Sequence, residues 1–432
     1  MKQDLFVIPH EWLSIPVFGW GWLLMVWAIA SVVLLAVQWR RHRSLGDVLQ
    51  AVPMLLAVAA VIVVVLPWLE ATTPAGQPIG LPIRGYGVML LLAVLSGVGL
   101  AARQARQMGI HPDVIYSLAF WVFVGGIAGA RSFYIVLYWD QFQRDSVWAT
   151  IVAMLNVIPG GLVVYGSLIG ALLAGGLFLR LRRLPVLALA DLVTPSLLLG
   201  LALGRIGCLL NGCCFGGVCY QPGWSLRFPE SSPPYAHQRA HGQLHGFHIA
   251  AAGEGDRPEV RAIEPGGPAE SAGLEWGAVI LAVDGRDVAE FAQAANQLSV
   301  AGPRLHLETD RGPVTISLDA LPARSRPVHP VQLYSAINAA LLSLLMWAWY
   351  PFRRRDGELF AALLVLYPIT RFLLELIRAD EPGRLQTDLT ISQWVSCGLL
   401  VLAVGLWIYL IRQPAGSVLP RPATGSNPAD SP

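Results

Sequence analysis

Nine apolar stretches, each near the roughly 20 residues that a helix needs to cross a hydrocarbon core of about 30 Å, constrain this 432-residue chain more than any other feature. They run at about 17–38, 48–69, 84–102, 114–138, 160–180, 186–207, 329–350, 357–378 and 391–411. Only 13% of the residues are charged, against about 25% in a soluble domain, which excludes an ordinary soluble enzyme. Disorder is excluded too, because it needs low hydrophobicity and high net charge, whereas here the chain is 55% hydrophobic with a net charge of +2. No nucleic-acid partner is expected. Fifteen Trp, 43 Gly and 31 Pro suit membrane helices, which tolerate Gly and Pro and anchor Trp at the interface. The fold class expected is an all-α polytopic membrane protein.

The first span reads as a retained anchor, since its apolar run exceeds the 7–15 residues of a signal peptide. Basic residues stay on the cytoplasmic side of short loops. Here they alternate: Arg40, Arg41 and Arg43, then Arg103 and Arg106, then Arg180, Arg182 and Arg183, then Arg353, Arg354 and Arg355, and finally Arg412. The loops Glu70 to Pro82 and Asp140 to Asp145 are poor in them. This parity places the N-terminus outside, the C-terminus inside and the long polar stretch at 219–326 outside. A Pro/Gly/Ser-rich tail at 413–432 reads as disordered.

Within the polar stretch, short β-type runs alternate with Gly and Pro. Val279 to Val283 reads as a strand, Asp284-Gly285 as a hairpin turn, and Glu290 to Leu298 as a helix. The order Val260 to Ile263, Gly267 to Leu274 and Gly277 to Gly285 resembles bacterial PDZ domains over about 246–318, making a small α+β insert. That resemblance implies β-augmentation by a polypeptide C-terminus, with His245, Gly246 and Phe247 in the carboxylate-holding loop. A spacer with a blocked groove is the other reading. His237, His241, His245 and His248 precede the PDZ-like core and read as solvated.

Charges inside membrane segments are normally turned inward and used. Arg131, Arg205, Arg371 and Arg378 qualify, with Glu375 between the last two. Arg371, Glu375 and Arg378 follow i, i+4, i+7 and so share a helix face. Either they lock helices as an ion-pair network, or they form an anion site suited to a phospholipid headgroup.

Beside these charges stand Arg84-Gly-Tyr-Gly87, Gly129-Ala-Arg-Ser-Phe-Tyr134, the Gly160–Gly170 and Gly204–Gly216 segments, His329–Tyr334 and Arg371–Arg378. In order and spacing the set resembles the prolipoprotein diacylglyceryl transferases, inner-membrane enzymes that move diacylglyceryl from phosphatidylglycerol to a prolipoprotein lipobox cysteine. The resemblance implies a seven-span core at 81–218 and 327–412, with two extra helices in 1–80 and the insert at 219–326. It implies catalytic roles for Tyr165, Arg205, Arg371 and His329. Tyr86, Arg131, Asn211, Gln332, Tyr334, Glu375 and Arg378 would line or brace the lipid cavity. The partners implied are phosphatidylglycerol, the lipobox segment and membrane lipids. The reaction needs cations for the departing phosphate and a base for the thiol, with no metal or cofactor expected.

Three positions depart from the family pattern. Tyr165 stands where the family has a histidine, Cys208 where it has an asparagine and Cys213 where it has a glutamate. Either His329 takes over proton transfer, or Tyr165 acts as a cation-activated base, or the chain is a diverged phospholipid-binding or thiol-redox protein. Cys208, Cys213, Cys214 and Cys219 allow a disulfide, buried small hydrophobes, or a metal or redox site, although C-x4-C-C-x4-C is not a usual zinc spacing. A site-2-type protease is excluded, because His10-Glu-Trp-Leu-Ser14 lacks the second histidine of H-E-x-x-H.

Overall fold

The computed structural model describes residues 4–42, 45–73, 76–144, 146–156, 160–219, 223–252, 256–379, 383, 387 and 389–418. Arg43, Asp145 and the tail from residue 419 lie outside the described residues. The chain divides into two compact units, Met1–Val88 and Met89–Pro432.

The first unit opens with β1 (Asp4–Pro9), β2 (Glu11–Trp12) and β3 (Ile15–Pro16), followed by α1 (Trp22–His42), α2 (Leu45–Ala60) and α3 (Leu66–Trp68). It closes with β4 (Ala71–Thr72) and β5 (Pro78–Arg84). Apolar periodicity did not announce the sheet β1-β5-β4, in which Ile8 pairs with Leu81. His10 Nδ1 meets Glu70 Oε2 at 2.5 Å. One π-helical turn, Val61–Val65, separates α2 from α3.

Five helices lead into the second unit and through its first half: α4 (Gly85–Gln107), α5 (Pro112–Leu137), α6 (Val147–Leu155), α7 (Val164–Leu181) and α8 (Val186–Asn211). The pair α5 and α7 packs at glycine. A Cβ added to Gly129 would stand 2.3 Å from the Gly166 carbonyl oxygen, and one on Gly170 2.2 Å from that of Gly125. Such small-xxx-small faces let backbones approach where lipid gives no hydrophobic driving force. Helix α6, short and largely exposed, fell in no expected span.

The insert follows with α9 (Pro233–Ala240), β6 (Phe247–Ala252), β7 (Arg257–Ile263), α10 (Pro268–Ser271), β8 (Ile280–Val283), β9 (Arg286–Asp287), α11 (Phe291–Val300), β10 (Arg304–Thr309) and β11 (Gly312–Ser317). Its sheets are β6-β7 and β11-β10-β8-β9. They enclose a core of Phe247, Ile249, Val260, Ile280, Leu298, Leu305 and Ile316. Asp284 and Gly285, at φ 48° and 73°, make the β8–β9 turn with positive φ at both central residues, as a type I′ turn requires.

The chain then forms α12 (Val331–Trp349), α13 (Glu358–Glu375) and α14 (Ile391–Arg412). Fully buried Asp191 on α8 accepts hydrogen bonds from Gly357 N at 2.7 Å and Phe360 N at 2.9 Å. It thereby satisfies the otherwise unpaired amides at the start of α13 and ties α13 to α8. Thr194 Oγ1 donates to the Ala190 carbonyl at 2.8 Å beside Pro195.

Among the described residues, six helices are long and apolar enough to cross a membrane: α4, α5, α7, α8, α12 with its extension to Phe352, and α14. The first two expected spans correspond to shorter apolar stretches, Trp22–Val37 and Val52–Trp68. The eighth corresponds to α13, which carries Glu358, Arg371 and Glu375 and is not among the six. The molecule is therefore mostly helical and polytopic.

Candidate active site

The last turn of α8 carries Arg205, Cys208 and Asn211, and ends where Gly212 adopts φ +78°. That left-handed residue suits glycine and turns the chain back, so that Cys213 N donates to the Cys208 carbonyl at 3.2 Å. The loop then runs between two partners. Gly216 N donates to His329 O at 3.1 Å, His329 N to Gly217 O at 3.0 Å, and Gly217 N to Ile377 O at 2.9 Å. A Cβ on Gly216 would stand 2.7 Å from that of His329, so only glycine lets the three segments close. Gln332, 1% exposed, fixes the loop from α12 by donating Nε2 to Cys213 O at 2.7 Å. Tyr334, half-buried, donates its hydroxyl to Trp224 O at 3.4 Å.

This weave brings the charges together. Arg371 forms an ion pair with buried Glu375, and Arg378 donates Nη1 to both Glu375 oxygens at 3.0 and 3.1 Å. The expected shared helix face is corrected here: α13 ends at Glu375, and Arg378 reaches back from the segment that bridges to Gly216. Arg371 also donates to Ser392 Oγ at 3.1 Å. Arg205 faces Tyr367, Cys208 and Cys214, and lies within electrostatic reach of Arg371. Arg371 and Arg378 thus share the Glu375 carboxylate, and Arg205 stands next to this pair without a contact to Glu375 of its own among the described residues.

Below the cluster, five residues down α8 from Arg205, Gly200 marks the edge of an apolar cavity of about 580 Å³. Leu90, Val94, Val122, Phe123 and Leu197 of α4, α5 and α8 line it. Five residues of helix measure about 7.5 Å, so an apolar chamber and a cationic cluster lie within one lipid's reach.

Arg131, expected at the lipid cavity, is instead committed to the backbone. It donates to the carbonyls of Met154 (2.7 Å), Gly160 (3.1 Å), Gly161 (3.1 Å), Ala153 (3.0 Å) and Asn156 (2.6 Å). All five guanidinium N–H groups therefore hold the α6–α7 connection, and Tyr134 and Phe142 flank the charge at 5.6 and 5.1 Å. Gly161, at φ +82°, has no room for a Cβ, which would meet Arg131 Nη1 at 2.8 Å. Tyr165, half-buried, occupies the first turn of α7 just beyond this connection. The hydrogen bonds of Arg131 join it to the segment leading to Tyr165, not to the arginine cluster. Tyr86 belongs to the first unit, where it is 40% exposed in the first turn of α4.

All five cysteines are free thiols; of the three readings left open for them, the structure does not show the disulfide. The Sγ atoms of Cys208, Cys213 and Cys214 lie within 4.8 Å of one another. Cys219, 3% exposed, stands outside that group.

The carboxylate-loop assignment in the insert needs correction. His245 N and Phe247 N both donate to Gly242 O, and Gly246 N to Gln243 O, so the amides a peptide carboxylate would require are engaged. Beside them, Ile249 N of β6 donates to His241 O, and α9 packs on α11. The chain's own segment thus lies along β6. The histidines are not solvated either. His237 and His241 stack at 3.9 Å, His241 and His248 at 5.7 Å, and Phe215 touches His237 at 5.4 Å. His245 is fully buried, with Nε2 2.9 Å from Gly302 O.

Sequence reasoning missed Asp191 and the α9 histidine stack. An acid inside an apolar span was the available signal for the first; nothing in the spacing marked the second.

The geometry can be set beside known proteins. The profile of the family described as prolipoprotein diacylglyceryl transferase matches residues 75–409. A phosphatidylglycerol–prolipoprotein diacylglyceryl transferase of Rhodopirellula baltica is 34% identical over 95% of this chain and 89% of its own length. One of Gloeobacter violaceus is 25% identical over 79% of this chain and 93% of its own. One of Trichormus variabilis is 37% identical over 35% of this chain and 52% of its own. With the match spanning the arginine cluster, the cysteine loop and the apolar chamber alike, the chain belongs to the prolipoprotein diacylglyceryl transferase family.

Proposed function

We propose that this chain transfers the diacylglyceryl group of phosphatidylglycerol to the lipobox cysteine of a prolipoprotein. The observation that carries this reading is the convergence of Arg205 with the Arg371–Glu375–Arg378 network beside an apolar chamber. A phospholipid has the matching form: an anionic phosphate on two hydrocarbon chains. The thiol attacks the glycerol carbon, the carbon–oxygen bond to phosphate breaks, and glycerol phosphate leaves with the electron pair. Arg205 and Arg371 are the catalytic cations for that charge, because fixed donors in a water-poor site stabilise developing charge without reorganising. Glu375 and Arg378 hold Arg371 in place, Asn211 and Gln332 hold the loop, and Tyr334 closes its rim. Proton removal falls to His329 or Tyr165.

The chain lies in the inner membrane and crosses it nine times, seven of them in the transferase core. The N-terminus and the insert face the periplasm and the C-terminus the cytoplasm, as the arginine parity of the loops requires. The PDZ-like insert braces the loop above the site; its own α9 segment takes the place where a peptide C-terminus would add.

Complementation tests the reading. In cells depleted of their own transferase, the wild-type chain restores diacylglyceryl addition, seen as a mass shift on a reporter prolipoprotein, whereas Arg205→Ala and Arg371→Ala do not. Absence of the shift with wild type overturns the transferase reading. It would leave the second reading, a thiol-redox or phospholipid-binding protein, which the grouping of three thiols favours.

A further inference from the structure

We infer that Cys208, Cys213 and Cys214 form a three-thiolate site for a soft divalent cation, zinc above all, with its fourth position open to a thiol from outside the chain. The inference deepens the transferase reading, since the incoming thiol is the one that reading supplies.

Four observations carry it. The three Sγ atoms lie within 4.8 Å of one another. Two thiolates on a tetrahedral ion with Zn–S about 2.3 Å stand about 3.8 Å apart, so small side-chain rotations close the set. The sequence spacing concealed this because the grouping depends on a chain reversal: Gly212 at φ +78° folds Cys213 back over the last turn of α8. Cys214 is itself at φ +58°, a left-handed conformation rare for a non-glycine residue and typical of sites held for function. Cys219, the remaining thiol nearby in sequence, stands outside the group, and three protein ligands with a vacant fourth are the pattern of catalytic rather than structural zinc.

Charge agrees as well. A zinc ion bearing four thiolates carries a charge of −2, and the Arg205 guanidinium stands beside Cys208 and Cys214. A coordinated thiol is deprotonated outright. Binding therefore releases the thiol's proton to solvent and leaves sulfur as the nucleophile. The sulfur–carbon bond forms, the carbon–oxygen bond to phosphate breaks, and the oxygen leaves with the electron pair against Arg205 and Arg371. No electron is gained or lost overall. The thioether product is a poorer ligand than thiolate and departs. Such a site supplies what a base would otherwise supply, in a chain with Tyr165 at the position where the family's histidine is expected.

The test uses the full chain, reduced, in lipid nanodiscs. Titration with Co²⁺ should give a thiolate-to-cobalt charge-transfer band that saturates at one equivalent. A lipobox peptide with cysteine should strengthen the band; the same peptide with serine should not. Cys208→Ser, Cys213→Ser and Cys214→Ser should each weaken or abolish the band, while Cys219→Ser and Cys397→Ser keep it, helical content by circular dichroism separating lost sites from lost folds. Chelation should lower transfer ~10-fold or more and Zn²⁺ restore it. A reduced, folded protein that binds neither Co²⁺ nor Zn²⁺, or a Cys214→Ser variant that keeps the full band, overturns the site. A band indifferent to the cysteine peptide overturns its open position. Transfer untouched by chelation overturns the metal's role and leaves the transferase reading standing; no transfer at any metal content, with the band intact, overturns the transferase reading alone.

Discussion

Arg131 and the pair Arg205 and Arg371 are the same residue type in apolar helices, with opposite fates. Every N–H of Arg131 ends on a backbone carbonyl of the α6–α7 connection. Arg371 shares Glu375 with Arg378, and Arg205 stands beside Tyr367, Cys208 and Cys214 within electrostatic reach of Arg371. Guanidinium does not deprotonate in proteins, so a buried arginine must find partners. Carbonyl dipoles satisfy hydrogen bonds without cancelling charge and so suit a fixed clamp. A guanidinium set against a phenol and thiols, as Arg205 is, leaves a charge to be answered by a ligand.

The largest effect expected follows from that difference. Arg205→Ala or Arg371→Ala should reduce transfer about 10²–10³-fold, the usual range for losing one donor at a developing oxyanion, with melting temperature little changed. Measured turnover on phosphatidylglycerol vesicles checks this; a merely structural network would instead show lost stability with proportionate loss of activity.

Arg131→Lys should invert the pattern. Ammonium has three donors for five carbonyls, so at least two buried acceptors lose their partner, at about 1–3 kcal/mol each. Thermal stability should fall clearly. Transfer should fall about 10²-fold, the scale of a 1 Å misplacement, because the connection leading to Tyr165 shifts. An Arg131→Lys variant as stable as wild type would erase the contrast between clamp and site.

Tyr165→Phe sharpens the comparison from the other side. If Tyr165 supplies the base, removing its hydroxyl costs about 10²–10⁴-fold, the range of general-base catalysis. With thiolate formed at the three-cysteine site, the loss stays under about 10-fold. Turnover at saturating lipid separates the two outcomes.

Six of the nine expected spans were legible because apolar runs near 20 residues have few alternatives, and Arg371 and Glu375 because charges in such runs stand out. What stayed hidden depended on reversals and distant pairing. The thiol group needs the turn at Gly212, and the β1–β5 pairing joins residues more than 70 positions apart. The carboxylate loop was misjudged because a pattern that places residues in a loop does not say whether their amides are already engaged. Arg131 was assigned to the cavity for a similar reason: sequence locates a buried charge without revealing its partners.

A third fate of buried charge, neutralisation, is open to histidine and closed to arginine, and the α9 stack takes it. Burial, reinforced by His241 and His248, pushes His237 down from 6.5 to about 4, and burial likewise lowers His241 and His248. The unfolded chain therefore binds more protons than the folded insert between pH 6.5 and about 4, and stability rises with pH across that window. His237's contribution, on the order of 3 kcal/mol, is fully present above pH 6.5 and lost as pH falls to about 4. Melting followed by near-UV circular dichroism should show the insert losing stability across that interval, and His237→Phe, which keeps the ring contacts to Phe215 and His241, should flatten the slope. Guanidinium, which does not deprotonate in proteins, opens no such window. A pH slope unchanged in His237→Phe would mean that the stack is already charged, and that the insert, like the transferase core, tolerates buried cations.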